Sequence, residues 1–324
     1  MILSVSRRTD IPNYYSDWFY NRIKEGFLYV RNPMNPHQIS RVTVVPEAVD
    51  CIVFWTKNPE PMMGRLGELV AYPFYFQFTL TGYGRGIEPG IPHKREEMIP
   101  VFRRLSEQIG KERVIWRYDP IFFSDTYTEA YHLRAFGQIA SMLRGSTEKC
   151  VISFLDVYRR NQTTMQQLGI KTFCFEDQGR PDRDAKEGIT SDKIREFAGR
   201  LYDIAASNDM GIASCAEEID LSECGIVHNS CIDQILIESI TGYPLKVGKD
   251  KNQRAVCGCV ESVEVGTYHT CLNGCKYCYA NDSHARVKRN YCAYDVDSPL
   301  LCGKVESGDR ITERKGKQLR AGRL

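Results

Sequence analysis

The sequence predicts an α/β fold in the form of a (βα) barrel or a partial TIM-like barrel, and three observations support this prediction. Residues 1–214 alternate short β-branched or aromatic runs with longer amphipathic stretches, as in a parallel sheet with helical crossovers. The alternation repeats six times, which suits a barrel or an open part of one. The chain has 324 residues, 42% hydrophobic and 26% charged, enough for a large core, and this composition excludes a disordered, collagenous or coiled-coil protein.

Six strands are predicted from runs rich in β-branched and aromatic residues. In chain order they cover residues 1–6, 51–56, 75–80, 114–118, 150–155 and 210–214. The spacing between them leaves room for a helix after most strands, so neighbouring strands are expected to be parallel.

Apolar residues at helical spacing predict the helices between these strands. Ser16 or Asp17 can cap the first helix, whose apolar face carries Trp18, Phe19 and Ile23. Further helices are predicted by a stripe of Met62, Met63, Leu66 and Leu69, by a stripe of Met98, Val101, Phe102, Leu105 and Ile109, and by patterns at 127–144, 160–168 and 191–207.

The overall charge and hydropathy restrict the partners. A net charge of +2 and a pI near 7.9 predict no dominant attraction to nucleic acid or to a membrane surface. No apolar run approaches the roughly 18 residues of a membrane span, and the N-terminus has no apolar segment of signal-peptide length. We therefore expect a cytoplasmic protein with reduced thiols and no membrane association.

Polar residues follow each predicted strand, at the end where α/β barrels place their chemistry. Three cations stand out, namely Arg7 or Arg8, Lys57 and Arg117, and Asp119 follows closely. Any one of them also fits a solvated rim residue or a helix cap. Together the cations would suit a zwitterionic or anionic small molecule.

The thirteen cysteines are unevenly distributed, with three in residues 1–214 and ten in residues 215–302. A disulfide framework is typical of short secreted chains, so metal or redox chemistry is the better prediction for this segment. We accordingly divide the chain into the (βα) units of residues 1–214, a cysteine-rich iron–sulfur segment at 215–302 that completes the barrel, and a basic tail at 303–324.

The densest motif is the segment Cys271-Leu272-Asn273-Gly274-Cys275-Lys276-Tyr277-Cys278-Tyr279. Three thiolates at this spacing can bind three irons of a [4Fe–4S] cluster from one loop and leave the fourth iron open. The pattern C-x3-C-x2-C with an aromatic residue before the last cysteine is typical of radical S-adenosylmethionine (SAM) enzymes, in which SAM chelates that iron. A structural zinc site is the alternative, with His269 or His284 as a fourth ligand.

Four further cysteines suggest a second site. Cys257 and Cys259 form a tight pair, Cys215 ends the sixth predicted strand, and Cys231 begins an amphipathic segment. Together they could hold a second, fully ligated iron–sulfur cluster or a zinc ion beside the barrel mouth. Alternatively, Cys215 and Cys231 are buried small hydrophobic residues, as free cysteines often are.

Several motifs resemble the prokaryotic family called domain of unknown function 1848, and the resemblance covers essentially the whole chain. They are Ser6-Arg7-Arg8-Thr9-Asp10-Ile11-Pro12, Val53-Phe54-Trp55-Thr56-Lys57-Asn58-Pro59, Arg117-Tyr118-Asp119-Pro120, Ser153-Phe154-Leu155-Asp156 and the segment from Cys257-Gly258-Cys259 to Cys278-Tyr279-Ala280-Asn281. This resemblance carries no known reaction.

A second, more distant resemblance is to the spore photoproduct lyase-like radical SAM proteins. It rests on Trp55-Thr56-Lys57 and on Thr79-Leu80-Thr81 followed by Ile87-Glu88-Pro89-Gly90-Ile91-Pro92 and Arg95. In those proteins the cluster loop follows the first barrel strand, whereas here it follows residues 263–268, so the resemblance implies a circularly permuted barrel.

This resemblance implies which residues hold SAM. They are Ser4 or Ser6, Lys57 toward the SAM carboxylate, Thr79 and Tyr279. We add Arg117 from the cationic residues.

The sequence thus predicts a radical SAM enzyme in which a 5′-deoxyadenosyl radical acts on an unidentified substrate, with Tyr277 or Tyr279 relaying or quenching the radical. A small molecule or peptide is favoured as substrate, and nucleic acid is retained because of the lyase-like resemblance. The electron donor would be a protein such as flavodoxin or ferredoxin. Two alternatives are an enzyme that cleaves another carbon–sulfur bond of SAM to transfer an aminocarboxypropyl group, and a non-catalytic zinc or iron–sulfur module.

Overall fold

The computed structural model describes residues 1–156, 161–171, 189–314, 316 and 318–321. Its main element is an eight-stranded sheet in which every neighbouring pair is parallel. In sheet order the strands are β10 (Val263–Glu264), β1 (Ile2–Val5), β4 (Cys51–Thr56), β5 (Phe74–Thr79), β6 (Val114–Ile121), β7 (Lys149–Phe154), β8 (Gly211–Ser214) and β9 (Val227–His228). The six predicted strands are its six central strands, so the parallel α/β prediction is confirmed.

The sheet is open. Its edge strands are β10 and β9, and within the described ranges they pair with β1 and β8 only, so no closed barrel is seen there. Strand β10 comes from the cysteine-rich segment and lies beside the first strand of the chain, with Leu3 opposite Val263. The last third of the chain therefore extends the sheet begun at the N-terminus.

Helices alternate with the central strands as predicted. They are α1 (Ile11–Tyr14), α2 (Ser16–Glu25), α3 (Glu60–Met63), α4 (Ile99–Ile109), α5 (Glu129–Leu143), α6 (Gln162–Gln167), α7 (Ser191–Ala206), α8 (Gln234–Thr241) and α9 (His284–Cys292). None of the described helices is both long and apolar enough to cross a bilayer.

Two helix predictions need correction. Neither Ser16 nor Asp17 caps α2, because Tyr15 precedes that helix and Asp10 instead caps the extra turn α1, accepting a hydrogen bond from the Asn13 backbone. The stripe from Met62 to Leu69 is not one helix, since α3 ends at Met63 and a 3₁₀ turn covers Leu66–Leu69. Of the predicted 160–168 helix, residue 160 lies outside the described residues.

A second, three-stranded sheet was not predicted. It consists of β2 (Phe27–Asn32), the antiparallel β3 (Asn35–Thr43) and β11 (Arg310–Arg314), which is parallel to β3. Strand β2 begins with a continuous, mostly half-buried apolar run, whereas β3 and β11 are mostly polar with many exposed residues, so none of the three shows the apolar alternation that indicates a strand. Strand β11 also fixes part of the predicted basic tail.

The two faces of the main sheet are covered differently. Side chains alternate between faces along each strand, so Phe54 and Phe76 stack at 4.8 Å in the large core formed with the helices. Their neighbours Val53 and Tyr75 face the other way, toward residues from 231–260. The Tyr75 hydroxyl donates to the Cys231 carbonyl at 2.7 Å. Residues from 231–260 of the cysteine-rich segment therefore cover this second face of the sheet.

Candidate active site

A cavity of about 440 Å³ lies at the C-terminal ends of the strands. Thirteen of the residues predicted as catalytic, cofactor-binding or metal-binding line it, namely Ser6, Lys57, Thr79, Arg117, Cys215, Cys231, Cys257, Cys259, Cys271, Cys275, Tyr277, Cys278 and Tyr279, whereas the alternative Ser4 does not. The fold thus brings together residues that are more than 270 positions apart. The volume of the cavity is within the range of small-molecule binding sites.

The loop that carries Cys271, Cys275 and Cys278 is fastened to the strand ends through Asn273. The buried Asn273 amide donates to the Asp10 carboxylate at 3.0 Å, and the backbone N–H of Lys57 donates to the same carboxylate oxygen at 2.8 Å. The buried Asp10 carboxylate therefore connects this cysteine-bearing loop to the end of β4. Asp10 belongs to one of the sequence motifs, but this role was not predicted for it.

The same loop contacts the chain after β5. Gly90 donates its N–H to the Asn273 carbonyl at 2.9 Å, and Lys276 donates to the Ile87 carbonyl at the same distance. A Cβ at Gly90 would lie only 2.8 Å from that Asn273 carbonyl oxygen, so this close backbone approach requires glycine. The loop position is consequently set by backbone contacts on both sides.

The three thiols of the loop are partly buried and lie close enough together for a charge on one to affect another. Burial raises the pKa of Cys275 to about 12, against the opposing effect of the nearby Lys57 ammonium. Burial likewise raises the pKa values of Cys271 and Cys278, and a charge on one of the three thiols raises the pKa of its neighbours. A metal would have to displace the protons, as thiolate ligands require.

Glu88 is the main residue of the site that sequence analysis assigned no role. Its buried carboxylate accepts hydrogen bonds from Lys57 at 2.8 Å, from Thr81 at 2.9 Å, and from Lys94 and Tyr277. Burial alone would raise its pKa, but Lys57 and Lys94 lower it to about 2. Glu88 therefore holds Lys57 at the wall of the cavity.

The two tyrosines of the loop are anchored by their hydroxyls. Tyr277 is buried, donates to Glu88, and places its ring 5.6 Å from the Lys57 ammonium. Tyr279 is 43% exposed and donates to the Arg7 carbonyl at 2.7 Å. Both side chains thus border the cavity with their hydroxyls bonded to protein groups.

Ser6 and Thr79 occupy the rim. The Ser6 hydroxyl accepts from the backbone N–H of Arg8 at 2.9 Å and of Thr9 at 3.2 Å, so it shapes the turn after β1. Thr79 is the last residue of β5 and lines the cavity. Glu264, at the end of β10, accepts from the Arg7 backbone at 3.0 Å and was not predicted as part of the site.

The second group of cysteines lies on the same cavity. The Cys215 and Cys231 sulfurs are 3.1 Å apart, and Cys259 hydrogen-bonds to both Cys231 and Cys257. Arg117, predicted to bind SAM, donates to the Cys231 sulfur at 2.8 Å and pairs with Asp119.

Trp55 lies between two arginines of the cavity. The Arg7 and Arg117 guanidinium carbons are each 5.1 Å from the centre of its ring. Arg7 also hydrogen-bonds to Cys259. The cations predicted to bind a ligand are thus partly engaged by aromatic and sulfur groups.

The remaining wall is acidic and polar. Asp119 accepts from Ser153, and Asp156 pairs with Arg254. Just outside the lining residues, the Glu217 carboxylate accepts from the Phe154 backbone at 2.9 Å, and burial raises its pKa to about 8. This wall offers hydrogen-bonding groups of both charges to a bound molecule.

The two histidines predicted as alternative fourth ligands of a zinc ion are not among the residues that line the cavity. No three or more His, Cys, Asp or Glu side chains among the described residues are grouped around one point as ligands of a single ion. His269, a predicted fourth ligand, lies 3.2 Å from the Asp282 carboxylate, and His284 begins α9. Ligands of a cubane bind separate irons and need not converge on one point.

The fold and the cavity together define a parallel α/β protein with seven cysteines at the C-terminal edge of its sheet. The chain belongs to the family described as Domain of unknown function (DUF1848), which it matches over residues 2–280. The matched range includes both cysteine groups. No curated protein and no solved structure matches the chain.

Proposed function

We propose that this protein is a radical SAM enzyme acting in the cytoplasm. The observation that carries the proposal is the juxtaposition of Cys271, Cys275 and Cys278 with Lys57 on one cavity at the C-terminal strand ends. A [4Fe–4S] cluster held by these three thiolates and reduced by flavodoxin or ferredoxin would supply the electron that cleaves SAM to methionine and a 5′-deoxyadenosyl radical, and the radical would abstract a hydrogen atom from the substrate.

The donor set suits such a cluster. The three thiols come from one short loop and are close enough to interact electrostatically. The side-chain oxygen of Asn281, just after the loop, is buried without a hydrogen-bond partner among the described groups, as expected beside a missing ligand.

Lys57 is the proposed partner of the SAM carboxylate. Its ammonium has three donors, and Glu88 accepts one of them at 2.8 Å, so the group is held in place with hydrogen-bonding capacity remaining. Ser6, Thr79 and Tyr279 provide hydroxyls around the same space. Arg117 is better assigned to the second cysteine group, because Cys231 and Asp119 already engage its guanidinium.

A circularly permuted partial barrel is consistent with this assignment. The cluster loop follows β10, which lies next to β1, so a strand near the C-terminus occupies the place expected of a first barrel strand. Asp50 accepts from the N-terminal ammonium of Met1 and, at 3.3 Å, from the Leu319 backbone. Residues from the two ends of the chain are therefore close, as a permutation requires.

We infer that the substrate is a small molecule or a peptide, with nucleic acid as the alternative. The cavity has a volume suited to a small molecule, and part of its lining consists of Asp119, Ser153 and the Asp156–Arg254 pair. Tyr277 and Tyr279 remain the proposed radical relays because they border the cavity, and a flavodoxin or ferredoxin would supply the electron.

Anaerobic reconstitution followed by EPR and product analysis tests the proposal. The expected result is a cubane signal that SAM perturbs, with 5′-deoxyadenosine as product after reduction. Methylthioadenosine would instead indicate aminocarboxypropyl transfer. Stoichiometric zinc with no iron, together with no cleavage of SAM, would show that the protein is a binding module and overturn the proposal.

A further inference from the structure

The second cysteine group consists of thiols from three separate segments. Cys215 follows β8, Cys231 precedes α8, and Cys257 and Cys259 lie in the loop beyond that helix. Contacts link the sulfurs in the order Cys215, Cys231, Cys259 and Cys257. The Cys215 and Cys231 sulfurs are 3.1 Å apart. Four buried or half-buried thiols from distant positions thus meet at one place.

The surroundings of these sulfurs differ from those of ordinary buried cysteines. Cys231 accepts from the Arg117 guanidinium at 2.8 Å and from the Asn229 amide at 3.2 Å. Cys259 accepts from the Ile232 backbone at 3.3 Å and is also hydrogen-bonded to Arg7. Cations and N–H donors directed at sulfur stabilise thiolates and the sulfurs of metal clusters. A thiol that only fills space needs none of them.

Polar atoms near the group also lack partners. The Arg7 Nη2, the Ser214 hydroxyl and the Asn229 side-chain oxygen are buried without a hydrogen bond to any described group. Leaving such an atom unpaired in a protein interior is unfavourable, so a ligand or metal centre beside it would be stabilising. Arg7 and Asn229 contact the thiols, and Ser214 precedes Cys215, so the unpaired atoms surround the same place.

We propose that Cys215, Cys231, Cys257 and Cys259 bind a second thiophilic metal centre, separate from the Cys271–Cys278 site and bordering the same cavity. Four thiolates complete the ligand set of a cubane cluster, in which each thiolate binds a separate iron, so this centre is closed to substrate. It ties the segment 231–259 to the end of β8. The proposal does not depend on SAM cleavage by the first site.

Metal analysis of two complementary variants tests the proposal. The full-length triple variant C271A/C275A/C278A keeps only the second group, and the double variant C231A/C259A keeps only the first. After anaerobic reconstitution with iron and sulfide, we expect the triple variant to retain about four irons with sulfide, and binding of a single zinc ion instead would overturn the cubane. Cys292→Ala is the matched control, because Cys292 is exposed and does not line the cavity, and it should retain the wild-type metal content.

A footprint on the wild-type protein keeps the test valid if a variant fails to fold. The four thiols should resist alkylation in the metal-loaded protein and react after chelation, as read by mass spectrometry. A folded triple variant without metal, or a Cys215–Cys231 disulfide in the anaerobically purified protein, would overturn the second centre. Failure of the radical SAM proposal is distinguishable, because it would appear as no SAM cleavage by a C231A/C259A variant that still binds iron.

Discussion

The two cysteine groups of the cavity differ in how the chain brings their thiols together. Cys271, Cys275 and Cys278 come from one loop, and the nearest cation, Lys57, is held by Glu88. The second group comes from three segments, and arginines contact its sulfurs directly. In the first group a cation remains available to a ligand, which favours an open site. In the second group the cations are directed at the thiols, which favours a closed site.

The largest effect is expected from the first group. Cys275→Ala should abolish SAM cleavage, because a cluster ligand is lost, while the metal of the second group remains. Product analysis and iron counting on one anaerobic preparation measure both. Simultaneous loss of both metal centres would show that the groups are not independent and break the comparison.

Arg117→Gln tests the role of the arginines in the second group. Arg117 is buried, and its removal leaves the Asp119 charge without its partner, so we expect a loss of about 3–5 kcal/mol in the free energy of unfolding. Iron bound by the second group should fall with it. Arg104→Gln is the control, since Arg104 forms an exposed pair with Glu60, and should cost at most about 1 kcal/mol.

Denaturant unfolding at several pH values gives these free energies. Equal effects of the two arginine substitutions would contradict a specific role for Arg117. The metal content of Arg104→Gln should equal that of the wild type.

Glu88→Gln tests the support of Lys57 in the first group. The Glu88 pKa is lowered to about 2, so its stabilisation is complete above the ordinary value of 4.5 and is lost as the pH falls toward 2. That shift corresponds to on the order of 3 kcal/mol at neutral pH. The variant should therefore be less stable than wild type at pH 7, with a difference that shrinks at acid pH.

Urea unfolding at pH 7 and pH 3 measures that difference, and Glu107→Gln on an exposed carboxylate is the control. A difference between Glu88→Gln and wild type that stays constant with pH would contradict the assignment. Affinity for SAM should also weaken, because Lys57 loses the group that positions it.

The smallest effects are expected from the loop tyrosines. Tyr277→Phe removes one hydrogen bond to the charged Glu88 carboxylate, worth about 1.5–3 kcal/mol, and Tyr279→Phe removes one to the Arg7 carbonyl, worth about 1 kcal/mol. Both variants should still form 5′-deoxyadenosine. A tyrosyl EPR signal that disappears in only one of them would identify the relay, and loss of SAM cleavage in either would contradict a role downstream of cleavage.

Features formed by residues close together in the sequence could be predicted, whereas most features formed by distant residues could not. The central strands and the spacing of Cys271, Cys275 and Cys278 are local patterns, and they indicated both the sheet and the first cysteine group. Glu88 had no local signal, because its role comes from contacts with Lys57 and Tyr277 across the fold. The grouping of the second set was proposed from the number of cysteines, but its arginine contacts required the three-dimensional arrangement.

The hairpin of β2 and β3 was missed for a different reason. Strand β2 is only partly buried, β3 is mostly polar, and β11, which pairs with β3, is distant in the chain. Whether the sheet closes into a barrel likewise depends on strand geometry, which the periodicity of the sequence does not encode.

The position of β10 beside β1 has a consequence for synthesis on the ribosome. Asp10 hydrogen-bonds to Asn273, and Ser4 to Glu264. These contacts of β1 and the turn after it therefore cannot form until the segment that contains Glu264 and Asn273 has been translated. We expect a nascent chain to carry most of its sheet before it has any Cys271–Cys278 loop. Such a chain can begin to fold without the proposed radical chemistry, and that chemistry becomes available only after the segment near the end has been translated.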